Sequence, residues 1–507
     1  MLTDMKKIVP LFGLGLLLLS TGCDKDFIEK QPANDLAAEN FYKDEADAQR
    51  ALNGAYHGLQ KSGCYRLRLW TLDIMAGNSI VGAGGASDGL ETQQLANFST
   101  TTSNPGVADI WGTHYQTILA VNVVLERVPT ISMDAAKRDI ILGEARFLRA
   151  LSYFNLVRLF GNVPLILTQQ TTRESLNVPR SPVADVYRQI EQDLTAAEQV
   201  LPVTAAIVGH ATQGAAKGLL TKVYLTQSKW AEAATKAQEV IGLGKYSLNS
   251  SFSANFDPNA ENGSESLFEV QYAYDPNSNG FSGAAVCNMR SEFMAPRSSN
   301  ITSGGGFGWN QPTAEFVSQF EAGDRRKALT VFSNGDQLGS YTYSANSSIT
   351  GFNTRKFVVP LSSGVQTGFA NDPLNTVVLR YADVLLMQAE ALNEQGQTAA
   401  ARTPLNQVRA RAGLLPLTTA SQTTLRDAIM KERRLELAFE NGERWFDLIR
   451  SKDNSGQIRA LSFLRSLGSP NDQYGVGRGN ISEKYLLLPI PQNERDNNSA
   501  IDQNPGY

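Results

Sequence analysis

Histidine and cysteine are nearly missing from this sequence: its 507 residues hold three of each. His57, His114 and His210 stand far apart, and none falls one helical turn from another in a metal-ligating spacing. The sequence therefore offers no metal centre and no general base built on imidazole. Cys64 and Cys287 have no cysteine within two places, so a CxxC redox or zinc motif is excluded. They are left either to pair or to be two buried thiols. Long basic runs are also missing, and the net charge is −4. A chain that binds phosphate backbones needs clustered Lys and Arg, so nucleic acid is excluded as the main partner. Nucleophile signatures are lacking too. Gly280-Phe281-Ser282-Gly283-Ala284 fails the G-x-S-x-G pattern at its last position. Gly304-Gly305-Gly306-Phe307-Gly308 neither follows a strand nor opens a helix as a dinucleotide-binding turn does, and it reads as a surface loop.

What is present begins with the leader. Lys6 and Lys7 precede an apolar run over residues 8–19, and Ser20-Thr21-Gly22-Cys23 follows. The run is too short to span about 30 Å of hydrocarbon, so a signal peptide over residues 1–22 is expected. Small residues before a cysteine resemble a bacterial lipobox, in which the thiol is acylated and becomes the new N-terminus. The place three before the cysteine, usually Leu, is Ser20. Acyl chains on Cys23 would anchor the protein, since each buried methylene contributes about 0.8 kcal/mol and two chains suffice for stable attachment. Residues 23–36 then read as a polar tether. No later run reaches the length of a spanning helix.

Apolar residues make up 42% of the chain, enough for a substantial core in one large domain over residues 37–507. Apolar positions recur at helical spacing from about Ala37 to Gln60 and from Trp111 to Val128. Asp134 is a plausible N-cap for a helix that runs through Leu148 and Leu156 and stops at Gly161, with Pro164 beyond. Two segments repeat a pattern of small and bulky contact residues: Leu220, Tyr224, Trp230, Ala233, Ala237 and Ile241 in one, and Leu385, Ala389, Leu392, Gly396, Ala400, Leu405 and Val408 in the other. The spacing resembles the 34-residue tetratricopeptide repeat. Residues 62–107 and 246–374 are rich in Gly, Ser, Asn and Thr and read as loops and short strands laid over the helices of residues 110–245 and 375–450. Residues 451–507 read as irregular, with a buried extended stretch at 486–491.

Five segments, in order, resemble the SusD/RagB family of outer-membrane nutrient-binding lipoproteins. They are Ile110-Trp111-Gly112-Thr113-His114-Tyr115; Glu144-Ala145-Arg146-Phe147-Leu148-Arg149-Ala150 closing on Phe160-Gly161-Asn162; Arg380-Tyr381-Ala382-Asp383 through Glu390; Glu432-Arg433-Arg434-Leu435-Glu436 with Gly442-Glu443-Arg444-Trp445; and Pro489-Ile490-Pro491 with Asn504-Pro505-Gly506-Tyr507. The resemblance implies a mainly α fold, a scaffold of four tetratricopeptide-like helix pairs with an irregular ligand-binding region. It implies a non-enzymatic role without cofactor. It also implies a partner, a SusC-like TonB-dependent transporter barrel over which the lipoprotein sits, on the cell surface at the outer membrane. The glycine-rich stretch around Gly77-Asn78 and Gly84-Gly85 is similar to the ligand-side segment of a glycan-binding subgroup, which carries an acid where this chain has Asn78.

The residues themselves offer two competing chemistries. Glu432, Glu436 and Glu440 share one helix face at four-residue spacing, with Arg433, Arg434 and Arg444 nearby. Carboxylates can serve glycoside hydrolysis as an acid and base flanking the scissile bond. A row on one rigid face is better suited to ion pairing. Oligosaccharide is the expected ligand, with peptide or another nutrient as the alternative. Sugars present apolar C–H faces and hydroxyl rims, so an aromatic ring with amides, carboxylates and Arg around it is the fitting receptor. Tyr65, Trp70, Asn78 and Asp88 in the first loop region, and Arg290, Phe307 and Trp309 in the second, are the expected ligand contacts. Trp111, Trp230 and Trp445 fall on periodic helices and are expected in the core.

Overall fold

The computed structural model describes residues 42–507 except 83, 85, 86, 171–176, 283–285 and 469–473. The expected signal peptide, the lipidated Cys23, the tether and Gly85 lie outside the described residues. Local chemistry sets the helix ends. Asp44 caps α1 (Glu45–His57) by accepting from the Asp47 amide at 2.9 Å. After it come α2 (Arg68–Met75), β1 (Ser79–Gly82) and α3 (Leu90–Ala96). Asn104 caps α4 (Pro105–Arg127), with proline at the first helical place, where its missing N–H leaves no bond unmade. Asp134 caps α5 (Ala135–Phe160) through the Lys137 amide at 3.0 Å, as its sequence position suggests. This helix stops at Gly161, whose φ of +71° a side chain would resist. The scaffold continues with α6 (Val183–Val200), α7 (Gln213–Thr226) and α8 (Trp230–Gly242).

Residues 243–380 then leave helical register. They carry β2 (Ser266–Val270), the short α9 (Arg290–Met294), β3 (Trp309–Pro312) and β4 (Thr376–Arg380). β2 and β4 pair antiparallel, Thr376 opposite Val270 and Arg380 opposite Ser266, so this excursion starts and ends at one ladder. Helices resume with α10 (Tyr381–Glu394), α11 (Thr398–Arg411), α12 (Gln422–Glu436), α13 (Glu443–Arg450) and α14 (Arg459–Leu467).

The helices stack in series. α1 packs on α4 and α5, α5 on α6, α6 on α7, α7 on α8, α8 on α10, and α10 on α11 and α12. Close approach is possible because small residues occupy the seams: Ala145, Ala215, Ala233, Ala237, Ala389 and Ala401 are fully buried. On α11 the buried alanine is Ala401, with Ala400 exposed, one place on from the expected contact. Trp111 and Trp445 are core residues as expected, and Trp230 is partly buried against the core edge. The fold is mainly α, with two-stranded ladders only among the described residues. No described helix is long and apolar enough to cross a membrane.

The carboxylate row ahead of α13 is a buried ion-pair network. Glu432 meets Arg326 at 2.7 Å and Arg409 at 3.1 Å. Glu436 is shared among Arg326, Arg380 and Arg411. Glu440 meets Arg380 at 2.8 Å and also Lys356. Burial alone would push the Glu436 carboxyl up, but Arg411, Arg380 and Arg326 outweigh it and hold it well below the usual carboxylate range. Glu440 is likewise held down by Arg380 and Lys356, whereas burial raises Glu432; together the three clamp the end of α12 to β4 and to the excursion.

Candidate functional site

Two loops distant in sequence meet at the top of the excursion. β1 and β3 pair antiparallel, with Ile80 opposite Gln311 and Gly82 opposite Trp309. This ladder brings the loop after β1 against the loop before β3. Asp88 lies in the first loop and accepts from the Gly84 amide at 2.9 Å. Arg297 of the second loop approaches the same carboxylate at 3.6 Å and donates to the Phe307 carbonyl at 3.2 Å. Gly89 lies flat on the Trp309 indole: a Cβ there would fall 2.2 Å from the ring, so any side chain would part the loops.

The second loop is held from beneath by Glu292. Its buried carboxylate accepts from Thr302 Oγ1 at 3.0 Å, from the Gly304 amide at 3.0 Å and from the Gly306 amide at 2.6 Å. Three donors on one carboxylate fix the curve of residues 302–306 and so the direction of Phe307.

A column of aromatic rings runs outward through this junction. Trp70 lies at its foot, wholly buried, with Phe293 at 5.9 Å. Phe293 meets Trp309 and Phe307 edge-on, each at 5.1 Å. Phe307 meets Phe369 at 5.7 Å, and Phe369 meets Phe281 at 5.8 Å. Phe281 is 53% exposed and Phe369 48%. Asn371 joins the loops that carry them: its amide nitrogen donates to the carbonyls of Asp275 at 2.6 Å and Ser278 at 2.9 Å, and its oxygen accepts from the Asp275 amide at 3.1 Å. The outcome is an exposed aromatic face whose Phe307 shares its loop with Arg297, the partner of Asp88.

The expected contact residues divide accordingly. Asp88 and Phe307 are partly exposed at the junction. Trp309 is brought there too, but only 6% of it is open, because Gly89 and Phe293 cover its faces; it supports the surface instead of presenting a ring. Trp70 is a core residue of α2, with Nε1 donating to the Arg66 carbonyl at 3.2 Å. Tyr65 is buried beneath α5, its hydroxyl accepting from Asn155 at 3.3 Å. Asn78 accepts from Arg434 Nε at 2.7 Å inside the protein. Arg290 lies over the Phe357 ring and donates to Asn441 at 2.8 Å; burial brings it down to about 10. These four have no face for a ligand: Tyr65, Trp70 and Asn78 are buried where the first loop region folds into helix and strand, and Arg290 is buried at the start of α9. Phe281, Phe369 and Arg297 were not singled out by sequence. The available signal was an aromatic or basic residue inside a Gly- and Asn-rich loop, the same signal that pointed to Phe307.

The remaining reactive groups are structural. Cys64 and Cys287 are both buried and unpaired. Cys64 Sγ lies 3.7 Å from His114 Nε2, which also accepts from Asn155 Nδ2 at 3.2 Å. Burial holds this thiol far up and pulls the imidazole down to about 4, so neither thiolate nor imidazolium forms near neutrality.

Comparison with known proteins agrees with this architecture. A model described as the SusD family matches residues 332–507, and one described as starch-binding, associating with outer membrane, matches residues 26–225. SusD-like protein P2 of Formosa agariphila is 29% identical, across 97% of this chain and 98% of its own. Among solved structures, a laminarin-binding SusD-like protein is 32% identical and superposes with a TM-score of 0.77, covering 92% of this chain and 100% of its own. Surface glycan-binding protein A from Bacteroides uniformis is 26% identical with a TM-score of 0.77, covering 91% and 99%. With kinship along nearly its whole length and the helical stack in common, the chain belongs to the SusD/RagB family.

Proposed function

We propose that this protein binds oligosaccharide on the face formed by Phe281, Phe307 and Phe369 and delivers it, chemically unchanged, to a SusC-like TonB-dependent transporter at the outer membrane. The observation that carries the reading is the column from Trp70 to Phe369: exposed rings on a base that cannot collapse. Free-standing phenyl rings in water are unfavourable unless something covers them. A sugar face is a matching cover, and Asp88 and Arg297 supply a charged acceptor and donor for hydroxyls. Relatives named for laminarin and surface glycan binding support the same ligand class.

Release without turnover fits the side chains present, since the carboxylate row considered for hydrolysis is buried and ion-paired. Attachment at the outer membrane would come from acyl chains on Cys23, which would leave the helical stack free to meet the barrel. The test is calorimetric titration of residues 24–507 with a panel of oligosaccharides and peptides. Saturable binding of a glycan is expected; binding of peptides alone would reject the proposal, as would product release from a bound glycan.

A further inference from the structure

We infer that a cleft beside the aromatic face is a second sugar subsite, which takes the continuation of a chain bound on Phe281, Phe307 and Phe369. The inference rests on the glycan reading above and extends it to ligand length.

The cleft lies on the other side of the β1–β3 ladder end and holds about 270 Å³. That is just below the roughly 300–1,000 Å³ of sites that enclose a whole drug-sized ligand, so it suits one ring at the end of a longer molecule. Its floor is Ile80, Val81 and Gly82 of β1; Asn97, Ile349 and Tyr474 form its sides. This mixture repeats the chemistry of the aromatic face, with apolar surface for C–H groups and amide or hydroxyl groups for a rim.

Continuity with the face comes from one side chain. Gln311 is buried on β3, and its amide nitrogen donates to the Gly308 carbonyl at 2.9 Å, next to Phe307. Its oxygen accepts from the Ile349 amide at 3.0 Å, on the wall of the cleft. The Gln311 side chain also packs directly on Gly82, where a Cβ would fall 2.4 Å from its amide carbon. A single amide thus spans the distance between the two surfaces and fixes them relative to each other. Asp88 is tied to the cleft as well, since Gln93 at the cleft donates to its carbonyl at 2.7 Å. Ile349 stands 62% exposed at the cleft, an apolar side chain whose backbone is pinned and which no described residue covers. A ring that leaves the aromatic face past Gln311 would meet it.

The test uses residues 24–507 and two probe series, β-1,3-linked and α-1,4-linked gluco-oligosaccharides of about two to seven units, in calorimetric titration. Ile349→Ala and Tyr474→Ala are compared with Phe369→Ala. Ile349 is a surface residue, so that variant keeps the fold, and melting curves check both. The expected result is an affinity loss of about five- to tenfold for the longest ligands in the cleft variants, with the shortest unchanged within about twofold. Phe369→Ala should weaken every length. Cleft variants that match the parent at all lengths would overturn the subsite while leaving the aromatic face intact. Equal loss at all lengths in the cleft variants would also overturn it, because the cleft would then be part of the primary site. Failure of the parent protein to bind either series would reject the glycan reading, and the subsite with it.

Discussion

Replacing Phe369 or Phe281 by alanine separates the two roles that aromatic residues play here. Each ring is about half exposed, 48% and 53%. A phenylalanine that buries about 150–250 Å² when enclosed therefore has roughly 75–125 Å² left to gain, and one pyranose face covers about two thirds of that. At about 25 cal/mol per Å², some 50–80 Å² removed from water stabilises the complex by about 1–2 kcal/mol. Each single variant should weaken binding about five- to thirtyfold. The rings touch at 5.8 Å, so the double variant should fall short of the summed loss. Stability should barely move, because these side chains already face water. Trp70→Leu is the contrasting case. It removes a wholly buried ring from the foot of the column and should lower stability by about 2–4 kcal/mol. Titration calorimetry reads the first effect and urea unfolding the second. Should Phe281→Ala and Phe369→Ala keep the parent affinity while remaining folded, the face is not the receptor and the reasoning fails.

Three further outcomes follow from the interior. Arg380→Met strips one fully buried guanidinium from Glu265, Glu436 and Glu440 and should destabilise by about 3–5 kcal/mol in urea unfolding. Adding Glu440→Gln should restore part of that loss, and strict additivity would argue against a coupled network. Stability should also depend on pH in two opposed ways. Glu436, Glu440 and Asp447 are raised by burial but lowered further by their cationic partners, so their contribution is present above the unfolded carboxylate value near pH 4 and disappears as pH falls below it. Burial raises Asp73 to about 8, so its folded form holds a proton that the unfolded chain releases near pH 4, and stability declines from there up to about pH 8. Asp73→Asn should flatten the decline on the alkaline side, measured by melting temperature against pH; an unchanged slope would sink the assignment. Finally, the two buried thiols, Cys64 and Cys287, should react with a thiol reagent only after unfolding, and reductant should leave the melting temperature where it was.

The helical scaffold was legible because its signals are local. Asp134, Gly161 and the alanines of α7, α8 and α10 act through their own helix or its immediate neighbour. The carboxylate row was read only in part: Glu432 and Glu436 lie on α12, but the helix ends at Glu436 and Glu440 falls in the turn beyond, between Phe439 and Asn441 at positive φ. The site was only half legible. A loop composition of Gly, Ser, Asn and Thr singles out residues 62–107 and 246–374, and it led to Asp88 in the first and Phe307 in the second, which meet at one junction. The same composition misleads around Trp70. The helix Arg-Leu-Trp-Thr-Leu-Asp-Ile-Met of residues 68–75 is covered on nearly every side, so it has no polar face to produce a period. Phe281 and Phe369 were missed for the opposite reason. Their exposure depends on Asn371 tying two loops about a hundred residues apart, and no spacing in the sequence encodes that bond.

The β2–β4 ladder has a consequence for how such a receptor can diversify. Residues 271–375 leave the helices and return to them at paired strands, so both ends of this insert sit side by side on the stack. Closure entropy of a chain segment grows only slowly with its length. Its outer loops can therefore be lengthened or shortened while α8 and α10 keep their contact beneath, provided that Arg326 and Lys356 remain to pair Glu432, Glu436 and Glu440. Changes in the loops that carry Phe281, Phe307 and Phe369 can thus accumulate without repacking the helices beneath them.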